Sequence, residues 1–181
     1  MPADTVLLFE DETVLRLFPV LRRAWALPGE QAKMGITGRN AKRVLFGTIN
    51  LRTGHRIIQR SANLRQAHFH TFLRRLRRCY PGRPIGLLLD RAPSHLAAQS
   101  QALAKQLDIV LIWLPKQCPE LNAMDQLWRA LKSNIAANHQ YRDIEEHAAL
   151  AETWIMFLTR TEALRKAGIL SKDFWLKSFF K

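Results

Sequence analysis

The sequence predicts an α/β fold, with a mixed five-stranded sheet flanked by helices, and three observations lead to it. Short apolar runs suited to buried strands alternate with amphipathic segments suited to helices. Glycine, proline and asparagine separate these segments, without internal repeats or low-complexity stretches. The chain has 181 residues, of which 48% are hydrophobic, enough to bury one core. We therefore expect a single domain, with a core over about residues 5–138 and a helical extension over about 139–181.

The first half of the chain supplies three of the five predicted strands. Val6–Phe9 is an apolar run, and we expect a buried strand that ends at the acids Glu10, Asp11 and Glu12. Residues 16–43 are basic and broken by prolines and glycines, which is typical of an irregular excursion, with a short strand around Ala24 to Ala26 as the alternative within it. Residues 44–51 and 56–61 are rich in β-branched side chains and flank Arg52-Thr53-Gly54-His55, which predicts a hairpin.

The second half alternates helices and strands. Asn63 is predicted to cap a helix whose apolar positions follow helical spacing, namely Phe69, Phe72, Leu73 and Leu76. Strands are predicted over Ile85–Leu89 and Ile109–Leu114, and helices over Ser94–Leu107, from Asn122, and over Asp143–Leu158. The Asn122 helix should turn an apolar stripe inward, made of Met124, Leu127, Trp128, Leu131 and Ile135. Gly168 is predicted to end the last helix.

Three carboxylates occupy positions where this topology could bring them together. Right-handed crossovers place the Val6 and Ile85 strands side by side and parallel. Ligand sites in such sheets gather at the carboxyl ends of the strands, which is where Asp11 and Asp90 fall. Asp125 lies on the polar side of the Asn122 helix, so it can join them if that helix packs across the sheet edge.

The chemistry of three such acids is that of a divalent-cation site. Carboxylate oxygens are the ligands that Mg²⁺ prefers, and two bound ions can carry an in-line phosphoryl transfer. Each acid also has a structural alternative. Asp11 and Asp90 could simply end their strands, and Asp125 could be an acid that interacts with the helix dipole. The combination of all three in a basic chain favours the metal site.

The charge of the chain favours a polyanionic partner. Lysine and arginine number 28 against 15 acids, a formal net charge of +13. Arginine suits phosphate contacts, so double-stranded DNA is the expected partner, although a solvated basic surface is the alternative. The candidate DNA-binding residues are Arg74, Arg75, Arg77 and Arg78 on one helix, with Arg129 and Lys132 on another.

Four sequence motifs, in matching order over about Leu7 to Lys132, resemble the Tc/mariner-like transposases in their bacterial insertion-sequence branch. They are Phe9-Glu10-Asp11-Glu12-Thr13, Trp25 with Pro28-Gly29, Leu89-Asp90-Arg91-Ala92-Pro93-Ser94-His95, and Leu114-Pro115 with Pro119-Glu120-Leu121-Asn122-Ala123-Met124-Asp125-Gln126-Leu127-Trp128. Thirty-four residues separate Asp90 from Asp125, as in that superfamily. The chain departs from the family where Arg91 replaces a usual asparagine, Ala123 a common proline and Asp125 the glutamate of the bacterial branch.

The resemblance implies an RNase H-like fold and a DDE/D transposase that cleaves transposon ends and joins them to target DNA. By motif position, Asp11, Asp90 and Asp125 are the catalytic metal ligands, and the cofactor is Mg²⁺ or Mn²⁺, with two ions expected. Glu12, Arg91 and His95 are candidates to support these ligands without binding the metal themselves. For His95, contact with a phosphate or a metal-bound water and a purely structural role at the start of a helix are the alternatives. The family's N-terminal helix-turn-helix region is expected to be absent from this chain.

The same resemblance allows a homodimer and a separately encoded N-terminal DNA-binding part as partners. No apolar run is long enough to cross a bilayer, so we expect a cytoplasmic protein that acts at the bacterial nucleoid. Cys79 and Cys118 have no metal-binding spacing and are expected to be free thiols. A catalytically silent remnant that only binds DNA or pairs with other subunits is the alternative function.

Overall fold

The computed structural model describes Pro2 and residues 4–23, 25, 27, 29–30 and 33–177. Its centre is a five-stranded sheet, ordered β3-β2-β1-β4-β5. The strands are β1 (Val6–Arg16), β2 (Lys42–Asn50), β3 (Arg56–Ser61), β4 (Ile85–Leu89) and β5 (Ile109–Trp113). The first three pair antiparallel, whereas β4 runs parallel to both β1 and β5. The predicted mixed sheet and the predicted pairing of the Val6 and Ile85 strands are confirmed.

Strand β1 is longer than the sequence predicted. It continues through the three acids to Arg16, because β2 pairs with it from Asn50 opposite Leu8 to Lys42 opposite Arg16. The parallel pairing with β4 stops earlier, at Phe9 opposite Leu88. The acids therefore lie inside a strand rather than after it, but beyond the carboxyl end of the parallel pair.

Six α-helices cover the sheet in the described part of the chain. They are α1 (Gln66–Cys79), α2 (Pro93–Leu96), α3 (Ala98–Gln106), α4 (Ala123–Leu131), α5 (Ile144–Phe157) and α6 (Arg160–Lys166). A 3₁₀ turn over Pro119–Leu121 precedes α4, and a π-helical stretch over Lys132–Ala136 follows it. The predicted caps hold at Asn122 and Asp143, and Gly168, with φ of +73°, follows the end of α6 as expected.

Two helices differ from the predictions, one in its start and one in its continuity. Helix α1 begins at Gln66 rather than at Asn63, because the Asn63 carboxamide accepts a hydrogen bond from the Arg65 amide in the loop before it. The predicted helix from Ser94 to Leu107 is broken at Ala97, where ψ is 132°. The break frees the Ser94 carbonyl, which accepts a hydrogen bond from the Ser100 hydroxyl at 2.6 Å.

The two faces of the sheet bury separate hydrophobic clusters. One cluster packs the four predicted apolar positions of α1, all buried, against Leu8, Phe46 and Leu87. The other packs the apolar stripe of α4 against Phe9, Leu45 and Ile49. Helices α5 and α6 bury their apolar residues in this second cluster, so the C-terminal extension shares the core of the sheet.

Residues 17–41 form no helix or strand where the structure describes them, in agreement with the predicted irregular excursion, whereas Ala24 and Ala26 of the alternative short strand lie outside the described residues. An isolated bridge joins Val20 to Ala137, and the Asn138 side chain bonds the backbone of Arg22 in both directions. Trp25 is fully exposed, whereas its motif partner Pro28 lies outside the described residues. Among the described helices, none is both long and apolar enough to cross a membrane.

Candidate active site

The first acid, Asp11, lies on the face of the sheet that α4 covers. It pairs with Gly47 of β2, and a Cβ added at Gly47 would meet the Met124 and Trp128 side chains. Paired residues on antiparallel strands share a face, so Asp11 is directed toward α4 as well. Asp11 is half-buried there.

The second acid, Asp90, follows β4 directly, at the carboxyl end of the parallel strands. Its side chain is 58% exposed. The Oδ1 atom accepts hydrogen bonds from the Ala92 amide and the His95 Nδ1 atom, both at 2.9 Å. No described residue donates to Oδ2, which leaves that oxygen available to a ligand.

The third acid, Asp125, lies in the first turn of α4. Asn122 caps this helix by accepting a hydrogen bond from the Met124 amide, and its Nδ2 donates to the Glu10 carbonyl at 2.9 Å. This buried side chain therefore ties the start of α4 to β1 beside Asp11. The Asp125 Oδ2 atom lies 2.8 Å from the Arg129 guanidinium, but this buried oxygen receives no aligned hydrogen bond from the described residues.

The three acids meet in one cleft of about 180 Å³. Asn122 and the loop after β5 supply its remaining walls, through Leu114, Pro115, Gln117, Cys118 and Pro119. A larger hollow of about 330 Å³ between α3 and β5 contains only one acid, Asp108, so size does not identify the site. The sequence placed these three carboxylates together, and the structure brings them together.

Crowding of carboxylates sets the electrostatics of the cleft. Burial, with the nearby carboxylates of Glu12, Asp125 and Asp90, raises the pKa of Asp11 to about 8. The hydrogen bond from His95 lowers the pKa of Asp90, and the Ala92 amide acts in the same direction. Burial and like charge thus favour the protonated form of Asp11, whereas the two hydrogen-bond donors favour the charged form of Asp90. Three of the chain's fifteen acids line this cleft, and Glu10 and Glu12 flank Asp11 along β1, although the chain as a whole is basic.

A second group of polar side chains lies on the opposite face of β1. Glu10, Glu12 and His95 each place one ligand atom within 4.8 Å of the others. The His95 Nε2 atom bonds Glu12 Oε1 at 3.1 Å and lies 3.8 Å from Glu10 Oε2. Burial acts to lower the pKa of His95, but the carboxylates of Glu10, Asp90 and Glu12 outweigh it and raise this pKa to about 11. The hydrogen bonds to Asp90 and Glu12 thus favour the charged form of the His95 ring.

Glu10 is the site residue that the sequence argument missed. Its side chain is fully buried, and neither carboxylate oxygen has a hydrogen-bond partner among the described residues. Burial, reinforced by the charge of Glu12, raises the pKa of Glu10 well above its ordinary value. The alternation of side chains along a strand could have identified it. If β1 continues past Phe9, Glu10 lies on the same face of the sheet as the buried Leu8.

The candidate DNA-binding arginines of α1 do not border the cleft. The N-terminal part of α1 lies near the site, since the Phe69 and His95 rings are 4.4 Å apart. Arg74, Arg75, Arg77 and Arg78 lie toward the other end of the helix, roughly one to two and a half turns further on. Arg77 also donates to the carbonyls of Leu107, Tyr80 and Arg83, so it holds the chain together at that end.

The remaining basic candidates lie nearer the acids. Arg129 forms an ion pair with Asp125 and is largely exposed. Lys132 is half-buried at the start of the π-helical stretch, and Arg91 is exposed directly beside Asp90. Of the three residues expected to support the ligands, His95 and Glu12 are connected to Asp90 through hydrogen bonds, whereas Arg91 forms no ion pair within the described part of the chain.

Comparison with known proteins shows the family to which this sheet and its acidic cleft belong. Residues 6–147 match the family described as DDE superfamily endonuclease, so the chain belongs to that family. The fold is RNase H-like, and the resemblance to Tc/mariner-like transposases of the bacterial insertion-sequence branch is confirmed.

The chain is also similar to individual proteins, one by sequence and others by structure. An uncharacterised 39 kDa protein of insertion element IS630 from Shigella sonnei is 29% identical over 140 residues, which cover 76% of this chain and 41% of that protein. The mariner Mos1 paired-end complex with Mg is similar in structure, with a TM-score of 0.73 at 18% identity, over 91% of this chain and 52% of that one. The isolated Mos1 catalytic domain gives a TM-score of 0.64 at 16% identity, over 91% of this chain and 76% of the domain. The chain thus spans less than half of its curated relative.

Proposed function

We propose that this chain is the catalytic part of an insertion-sequence transposase, which cleaves DNA at transposon ends and joins those ends to target DNA. The main support is structural: Asp11, Asp90 and Asp125 lie on β1, after β4 and on α4, and all three line one cleft. Family membership supports DNA phosphoryl transfer as the chemistry. The net charge of +13 supports DNA as the partner.

The donor set of the cleft fits a hard divalent cation. All three candidate ligands are carboxylates. Asp125 Oδ2 is buried beside the Arg129 guanidinium but receives no aligned hydrogen bond from the described residues, and none of them donates to Asp90 Oδ2. Burial, reinforced by the charges of Glu12, Asp125 and Asp90, raises the pKa of Asp11, and a cation in the cleft would favour its charged form instead. We therefore assign Mg²⁺ or Mn²⁺, in two positions, to Asp11, Asp90 and Asp125. Such ions activate an attacking water or hydroxyl and stabilise the leaving oxygen.

The chain's own residues then have separate tasks. Asn122 holds the start of α4 against β1, so that Asp125 faces Asp11 across the cleft. Arg129, already paired with Asp125, is placed to exchange that contact for a DNA phosphate when a cation takes the carboxylate. Arg74, Arg75 and Arg78 would contact duplex farther from the reacting phosphate. A homodimer and a separate N-terminal DNA-binding part complete the proposed assembly, which would act on DNA in the bacterial cytoplasm.

A cleavage assay tests this proposal. A plasmid that carries the element's terminal repeats should be cut in the presence of Mg²⁺ or Mn²⁺ and remain intact with EDTA. Asp11→Asn and Asp90→Asn should each abolish cutting, since each removes a charged ligand. Asp108→Asn is the matched control, because Asp108 is 78% exposed, lies outside the cleft, and has a φ of +53° that asparagine tolerates. DNA binding without cutting, in every metal, would instead support the silent remnant.

A further inference from the structure

His95 lies buried behind the cleft and uses both of its ring nitrogens. It is 1% exposed and contacts the Phe69 ring on one side. Nδ1 lies 2.9 Å from Asp90 Oδ1, and Nε2 lies 3.1 Å from Glu12 Oε1. A carboxylate can only accept, so both ring nitrogens must donate. His95 thus connects the residue after β4 to the strand beside it.

Asp90 needs such a contact more than the other two acids do. It follows the end of its strand, its side chain is more than half exposed, and an exposed carboxylate samples several rotamers. The Ala92 amide and His95 both bond Oδ1, so together they fix the rotation of the whole carboxylate. Fixing Oδ1 also fixes Oδ2, the oxygen without a donor among the described residues.

The position of His95 is itself determined by its surroundings. The helical break at Ala97 separates α2 from α3, and the Ser100 hydroxyl bonds the Ser94 carbonyl that the break exposes. Phe69 packs against the ring and Glu12 holds its far nitrogen. The imidazole therefore has one available orientation, and it transmits that orientation to Asp90.

We propose that His95 is a positioning residue, held by Glu12, that fixes the Asp90 carboxylate so that Oδ2 is presented to a divalent cation in the cleft. The inference rests on the proposed function, because it takes Asp90 as a metal ligand. Groups that orient a ligand from behind typically change metal affinity by about 10–100-fold. A purely structural role, joining β1 to α2, would affect stability instead.

Two substitutions separate the two nitrogens of His95. His95→Asn keeps an N–H near the position of Nδ1, facing Asp90, and loses the contact to Glu12. His95→Gln keeps an N–H near the position of Nε2, facing Glu12, and loses the contact to Asp90. The Mn²⁺ dissociation constant, measured by electron paramagnetic resonance on the full chain, should rise about 10–100-fold in His95→Gln and by clearly less in His95→Asn. Thermal melting should fall to a similar extent in both.

His147→Asn and His147→Gln are the matched controls. His147 is equally buried but lies on α5, stacked on Tyr141. Neither control should change Mn²⁺ affinity. Equal Mn²⁺ affinity in His95→Asn and His95→Gln would overturn the positioning role. A readout in the unmodified protein does not depend on folding of the variants: Mg²⁺ should shift the NMR signal of His95 Nδ1 more than that of Nε2. No shift at Nδ1 would equally overturn the proposal.

Failure of this inference is distinguishable from failure of the proposed function. If Asp90→Asn and Asp125→Asn weaken Mn²⁺ binding but His95→Gln does not, only the positioning role is wrong. If Mn²⁺ binding survives both aspartate substitutions, the cleft is not the metal site and both proposals are overturned. Binding that then disappears in Glu10→Gln would place the ion in the group of Glu10, Glu12 and His95 instead.

Discussion

Replacing Gly47 with alanine tests how closely α4 must approach the sheet. An added Cβ would lie 2.5 Å from Trp128 Cζ2 and 2.6 Å from Met124 Cε. Both distances are shorter than those at which Cβ atoms contact other atoms in proteins. The methionine end can move, but the Trp128 ring is 1% exposed and fixed in the core. Overpacking of this kind costs about 1–3 kcal/mol. For a domain of this size, the melting temperature should fall by roughly 2–12 °C.

The same substitution should weaken metal binding, because α4 carries Asp125 and Gly47 pairs with Asp11. Pushing the helix outward separates these two carboxylates. Differential scanning fluorimetry gives the stability, and an Mn²⁺ titration gives the affinity. Gly35→Ala is the control, since a Cβ there meets nothing within 4 Å and Gly35 has no positive φ.

A double-mutant cycle with Trp128→Phe identifies the cause. The smaller ring lacks the atoms that the new methyl group would strike, so the double variant should recover part of the lost stability rather than add two losses. Additive losses, or a Gly47→Ala variant that melts and binds Mn²⁺ like the unmodified protein, would refute the close packing of α4 on β2.

Three further predictions concern pH, salt and the C-terminal helices. Asp11 keeps a proton up to about pH 8 when folded, against an ordinary pKa of 3.8, so the metal-free free energy of unfolding should fall between pH 5 and 8. Asp11→Asn should reduce this dependence of the free energy of unfolding on pH, and an unchanged dependence would contradict the raised pKa of Asp11. Binding to random duplex DNA should weaken steeply with salt; a filter-binding titration that is flat would exclude counterion release. Arg56→Met should lower the free energy of unfolding in urea by roughly 2–4 kcal/mol, because buried Arg56 donates hydrogen bonds to the carbonyls of Ile155, Met156 and Leu158. A decrease no larger than that caused by Arg78→Met, at an exposed arginine, would contradict this role of Arg56.

Much of the fold could be predicted because local patterns determine it. Apolar runs marked β4 and β5, and an amphipathic stripe with a capping asparagine marked α4. The acids could be placed together because the carboxyl ends of parallel strands share one edge. These rules use neighbouring residues or a common topology, and the structure follows them.

The errors come from contacts between residues distant in sequence. Strand β1 extends past Phe9 because β2 pairs with it, and nothing local at the acids requires that. The helix after Asp90 breaks at Ala97, within a region where His95 bonds across the sheet to Glu12. The location of the α1 arginines, in contrast, could have been predicted. A helix that leads into β4 returns from the carboxyl edge, so its last turns lie at the opposite edge.

Asp125 is proposed to bind a cation together with Asp11 and Asp90, and an Mn²⁺ titration of Asp125→Asn is the decisive measurement. Asparagine at this position in the first turn of α4 removes a charged donor but few helix contacts, so melting of the metal-free protein should change little. We expect the Mn²⁺ dissociation constant to rise by at least about tenfold and plasmid cleavage to be lost. Asp108→Asn should behave like the unmodified protein. Full Mn²⁺ affinity and full cleavage by Asp125→Asn would show that Asp125 only interacts with the helix dipole and would remove it from the site.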